Sequence, residues 1–106
     1  MSTHYTIPQD ANTVHAGTTV PMDWVSGMIM DDFYDRSGNN TDLSPQQLLQ
    51  IMHMTSTPAG SDLIVRDIVR GLGFTGLSEE FLTQMAQQIA EDAANSIEEV
   101  EELTRL

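Results

Sequence analysis

The sequence predicts an all-α protein: a small bundle of about four helices with a long C-terminal amphipathic helix and an extended N-terminal arm. Three observations lead there. Apolar residues recur at helical spacing in four stretches beyond residue 19. Two of those stretches open on clear start signals, Ser44-Pro45-Gln46-Gln47 and Leu77-Ser78-Glu79-Glu80. Residues 1–19, by contrast, are polar and rich in threonine, with sparse apolar residues and no evident period.

The arm carries Thr3, Thr6, Thr13, Thr18 and Thr19. Such a segment has too little apolar surface to fold alone, so it becomes ordered only by docking on the protein's own surface or on a neighbouring subunit. The expected division is an arm over 1–19 and a helical domain over 20–106. Removal of the arm is expected to leave the helical fold intact.

The first helix is expected from about Val20 to Asp35. Pro21 suits a first turn, where its missing N–H costs nothing. Met22, Val25, Ile29 and Phe33 form the core face, and Asp32 is placed to pair with Arg36 four residues on. Ser37-Gly38-Asn39-Asn40 is the stop. Trp24, Gly27, Met30, Asp31 and Tyr34 fall on the remaining sides. Tryptophan and tyrosine off the core face are residue types that dominate interfaces, which makes Trp24, Asp31 and Tyr34 candidate partner-binding residues. The competing reading is a central helix buried on both sides.

The second helix starts with an N-cap serine, an N1 proline and a capping-box glutamine: Ser44, Pro45 and Gln47. Leu43 and Leu48 can staple across the start. Leu48, Leu49, Ile51 and Met52 supply the apolar stripe, and Ser56-Thr57-Pro58 ends the helix near Thr55. The third helix is expected from Ser61 or Asp62 to about Arg70. Its β-branched pairs Ile64-Val65 and Ile68-Val69 also suit a strand. The charged pair Arg66-Asp67 breaks the alternation a strand needs, so the helix is preferred. Asp62 and Arg66 are spaced to pair, and Gly71 is read as the terminating glycine.

The fourth helix opens at Ser78 and runs to about Leu103. Leu82, Met85, Ala86, Ile89, Ala93 and Val100 share one arc. Glu91, Asp92, Glu98, Glu99 and Glu102 share the opposite one, and these five complete the candidate partner-binding set. The two start signals lie a helix-pair repeat length apart, but the composition expected of such repeats is missing.

Charge sets the limits on function. The chain has 16 acidic residues against 4 basic ones, no lysine among them, and a net charge of -12 over 106 residues. Half of the acids lie from Glu79 onward. A polyanion is repelled by nucleic acid and by anionic membranes, so neither is an expected partner. A protein with a basic surface is. Homo-oligomers and larger assemblies also fit. No cysteine is present, which excludes disulfides, iron–sulfur clusters and thiolate chemistry. Met1 to Asp10 has neither a basic stretch nor an apolar run, so no secretory signal is read. A cytoplasmic or virion-associated location is expected.

Candidate chemistry gives way to simpler readings. The segment from Arg36 to Gln47 superficially resembles a calcium-binding helix–loop–helix, but arginine stands at its first ligand position and glutamine at its last. His4, His15 and His53 lack the i, i+4 or clustered partners a metal needs. Gly71, Gly73 and Gly76 spell the dinucleotide fingerprint by letter, but without a preceding strand they read as a cap and a turn. Asn39-Asn40-Thr41 matches the glycosylation triplet, which has meaning only in a secreted chain. No cofactor, metal or catalytic residue is therefore assigned.

The acidic end of the last helix is disfavoured locally. Glu98, Glu99, Glu101 and Glu102 crowd the negative end of the helix dipole, at about 0.3–1 kcal/mol per site. Glu98 and Glu102 repel at i, i+4, and only Glu101–Arg105 is favourable. The expected role is a non-enzymatic interaction protein, a small acidic subunit or accessory factor of a larger assembly, viral or phage-type among the possibilities. The alternative is an acidic inhibitor or nucleic-acid mimic that blocks a basic groove. Five acids over about 16 Å of helix give roughly half the linear charge density of a duplex. One helix is too sparse a mimic on its own.

Overall fold

The computed structural model describes residues 3–38 and 43–104. A short antiparallel hairpin precedes four helices: β1 (His4–Thr6), β2 (Thr19–Pro21), α1 (Met22–Gly38), α2 (Pro45–Thr55), α3 (Pro58–Leu72) and α4 (Glu79–Thr104). The protein is all-α in class, as its sequence predicts, with the hairpin as its β structure among the described residues.

The N-terminal segment is extended, and the protein's own surface holds it. Tyr5 pairs with Val20, and the Ile7 amide donates to the Thr18 carbonyl at 2.8 Å. Side chains alternate: Tyr5 and Ile7 turn inward while His4 and Thr6 face water. Ile7 is 0% exposed and belongs to the main core with Val25, Ile29, Val65, Ile68 and Ile89. Tyr5 packs edge-to-face on Phe74, and its hydroxyl donates to the Thr75 carbonyl. Truncation of this segment would open a core position that Ile7 fills.

α1 starts two residues later than expected and ends at Gly38. Val25 and Ile29 are fully buried. Met30 is a correction to the outward face read from the sequence, being 7% exposed. α1 is packed by both strands as well as by α3 and α4, so its buried arc is wider than one-sided packing would make it. Arg36 pairs with Asp32 on its own helix and with Asp67 of α3 at 2.7 Å.

The start of α2 matches its sequence signature. Ser44 and Gln47 form the reciprocal capping box, with bonds of 2.9 and 3.2 Å. α3 begins four residues earlier than Asp62. Thr57-Pro58, read from the sequence as a stop, is instead a second N-cap and N1 proline. The Thr57 hydroxyl accepts from the Gly60 amide and donates to the Met54 carbonyl, so one side chain closes α2 and opens α3. A Cβ on Gly60 would stand 1.9 Å from the Met54 carbonyl oxygen, which makes this corner a glycine position by close approach.

The terminating glycine of α3 is Gly73, not Gly71. It adopts φ 78°, where a Cβ is disfavoured. The Gly73 amide donates to Arg70 and the Phe74 amide to Val69, the paired bonds of a Schellman ending. Gly71 lies inside the helix. The element before the three glycines is thus a helix, and the dinucleotide reading has no strand to stand on. α4 opens on the expected Ser78 cap, whose hydroxyl accepts from the Phe81 amide. It packs along α2 and α3. Arg66 fastens α3 to the start of α4, bonding Asp62 at 2.9 Å and Glu79 at 2.6 Å. The stretch after the first start signal holds two helices and the stretch after the second holds one, so the similar caps do not mark a repeat. The middle of the calcium-like loop, the glycosylation triplet and Arg105 lie outside the described residues.

Candidate interaction site

α2 packs against α4 and α3, but among the described residues it does not close on α1. The gap leaves a groove of about 240 Å³. Its α1 wall is Phe33 and Tyr34, its α2 wall Leu48, Ile51, Met52 and Thr55, and its α4 side runs from Asp92 and Ala93 to Ser96 and Val100. The lining is mainly apolar side chains.

The α2 wall has a clear origin in sequence. Leu48, Leu49, Ile51, Met52 and Met54 spread over roughly 220° of the helix at 100° per residue, more than one packing face can cover. None of them is fully buried, and the one buried residue of α2 is Thr55. Ile51 is 42% exposed and Met54 68%. The stripe assigned to the core from the sequence therefore stays half open. Methionine divides in the same way: Met30 and Met85 fill the core, while Met52 lines the groove and Met54 faces water.

The groove joins two of the sequence-derived candidates. The Tyr34 hydroxyl donates to the Asp92 carboxylate at 2.6 Å, from α1 to α4. That bond, then partial burial, then the charges of Asp92 and Asp31 raise the Tyr34 pKa above the ordinary 10.0. Asp92 is half-buried, which corrects its placement on the outer acidic arc of α4. Glu99, seven residues on, lies on the same side of the helix and is exposed. Glu91, Glu98 and Glu102 are exposed and share the outer face. The acidic stripe is therefore two sets, one at the groove and one away from it.

Trp24 is half exposed, and its ring lies 5.5 Å from the ring of His15 in the loop between the strands. It stands ten residues before Tyr34, about 15 Å along the helix, so it is separate from the groove. Asp31 lies between them on the same exposed side of α1.

No family matches the chain, and no curated protein or solved structure does.

The groove is smaller than the roughly 300–1,000 Å³ of small-molecule sites. Among the described residues, no three His, Asp or Glu side chains could hold a metal together. His53 is exposed on α2, and His15 meets Trp24. A second cavity, about 540 Å³, lies between β1 and the starts of α1 and α4, lined by His4, Tyr5, Asp23, Ser26, Glu80 and Phe81 among others. The Tyr5 hydroxyl there is already engaged by Thr75. No buried side-chain polar atom among the described residues lacks a partner, so no unmet group marks this cavity as a site. Among the described residues no helix is long and apolar enough to cross a membrane.

Sequence reasoning missed Leu48, Ile51, Met52 and Thr55 as site residues. The available signal was the width of the α2 apolar arc. The short partner β1 was missed as well, although His4-Tyr5-Thr6-Ile7 alternates polar and apolar residues.

Proposed function

We propose that this chain is a non-enzymatic interaction protein, a small acidic subunit or accessory factor of a larger assembly, whose partner is a protein with a basic surface. The observation that carries this reading is the α2 stripe, which keeps large apolar residues half open beside an acidic rim. Apolar surface left open next to charge is how binding faces differ from ordinary solvated ones. The uneven charge supports the choice of partner. Arg36 and Arg66 are occupied by carboxylates of this chain, and most remaining acids face solvent. A viral or phage-type assembly suits so acidic a chain.

The test is recovery of the tagged chain from the cells or particles that make it, at physiological salt. The expected result is a stoichiometric complex with a basic protein. Recovery as a free monomer overturns the reading.

The alternative, an acidic inhibitor that occupies a basic nucleic-acid groove, has less support. Of the five candidate acids on α4, only Glu91, Glu98 and Glu102 share the outer face, about one charge per 5.5 Å against one per 1.7 Å in a duplex. Salt-sensitive binding lost on reversing those three charges would favour it.

A further inference from the structure

Three features remain open on the molecule: the outer acids of α4, the Trp24–His15 patch and the α1–α2 groove. The outer acids are a solvated row with nothing else to mark a ligand. Trp24 already has a ring neighbour in its own chain. The groove has a shape, a chemistry and a charge.

Its length suits two turns of a docked helix. Among the described residues, the backbones of α1 and α2 both approach α4 but not each other. The lining runs from Asp92 to Val100 on α4 and from Leu48 to Thr55 on α2. Each span is about 10–12 Å, or two helical turns. Two turns carry anchors at i, i+3 or i+4, and i+7, the pattern by which an amphipathic helix seats in a groove. The polar Thr55 hydroxyl at the wall donates to the Ile51 carbonyl, so it does not demand a polar ligand.

Charge decides the occupant. Among the described residues no cation lines the groove, and Asp92 lies in its wall. Asp31 acts electrostatically on Tyr34, and Glu99 shares the Asp92 side of α4. Arg36, the nearest cation along α1, is held toward α3 by Asp67. A second copy of this chain would bring another net -12 to that rim. A helix with lysine or arginine beside its apolar anchors would meet complementary charge instead.

We infer that the groove between α1 and α2 receives an amphipathic helix of the partner, with apolar side chains against Ile51, Met52 and Val100 and basic ones against Asp31, Asp92 and Glu99. This rests on the reading of the chain as an interaction protein and specifies the segment it binds.

The test is an amide NMR titration of the full chain with synthetic amphipathic helical peptides. These carry leucine or phenylalanine anchors at i, i+4 and i+7, with lysine elsewhere. Counterparts carry glutamate for lysine. The expected result is shifts at Ile51, Met52, Thr55, Ser96 and Val100 with the lysine peptides alone. Ile51→Asp should weaken binding by at least about tenfold. Ile51 is well exposed, so the variant should keep its fold, checked by circular dichroism. Glu99→Lys, on the exposed rim, should weaken binding without touching the groove floor.

Shifts confined to Glu91, Glu98 and Glu102 overturn the groove while leaving the interaction reading in place. Equal binding of the glutamate peptides overturns the basic segment. Groove shifts that grow with protein concentration alone overturn it in favour of a second copy. Silence toward every peptide overturns it outright. A chain that binds the lysine peptides but is recovered from its source as a free monomer fails the broader reading instead.

Discussion

Tyr34 on α1 donates a 2.6 Å hydrogen bond to Asp92 on α4, and both residues line the groove. Two residues that sequence reasoning nominated separately, for opposite reasons, thus form one contact. It holds the α1 wall of the groove in place relative to its floor.

Loss of that bond should be mild for stability and visible in titration. Tyr34→Phe should cost about 0.5 kcal/mol, the low end for a hydrogen bond, because Tyr34 is half exposed. The folded-state pKa of Tyr34 lies above its ordinary value of 10.0, chiefly because the neutral hydroxyl bonds to Asp92. The stabilisation is therefore complete below that ordinary value and is lost as pH rises through the higher folded one. Asp92→Asn should return Tyr34 toward 10.0 in a ring-carbon NMR titration, with Tyr5 unchanged.

The acid limb of stability should depend on Glu79. Its bond to the Arg66 guanidinium, reinforced by the charge of Arg66, holds its pKa below the ordinary 4.5. The contribution is present above that ordinary value and is lost as pH falls through the depressed folded one. Both groups are solvent-facing, so the effect is small and screened by salt. Glu79→Gln should flatten this part of the pH dependence in denaturant midpoints, and added salt should shrink the difference between the two proteins.

Two glycine substitutions should move stability in opposite directions. Gly60→Ala places a Cβ 1.9 Å from the Met54 carbonyl, so the α2–α3 corner must shift, at about 1–3 kcal/mol. Gly27 is an exposed position on α1, and a Cβ added there would meet nothing within 4 Å. Gly27→Ala should stabilise by about 0.5–1 kcal/mol through helix propensity. Urea unfolding of the two variants beside the parent decides both.

The hairpin should behave as core rather than as a detachable arm. Ile7→Ala removes a side chain that is fully buried, at about 2–5 kcal/mol. Against a typical total of about 5–15 kcal/mol, that is a large share. Val14→Ala, at 95% exposure in the same segment, should fall within about 0.5 kcal/mol of the parent. Equal thermal midpoints for the two variants would show the segment to be dispensable.

The amino-acid order alone made legible the four helices, the caps at Ser44 and Ser78, and the Asp32–Arg36 and Asp62–Arg66 pairs. These depend on interactions within a few residues, and local spacing carries them. It also determined the acidic balance, with no lysine to offset it. Tertiary structure decided everything that depends on distance along the chain. It drew Ile7 into the core, since a residue just past a three-residue strand gains its burial only from elements that follow it. It turned Thr57-Pro58 from a stop into a start, because the same cap chemistry serves either end of a tight corner. It divided the acidic face of α4, placing Asp92 against Tyr34 and leaving Glu91, Glu98 and Glu102 in water. The groove belongs to this second class: α2 carries a wider apolar arc than its neighbours cover, and only the packing of α1 away from α2 leaves that arc open.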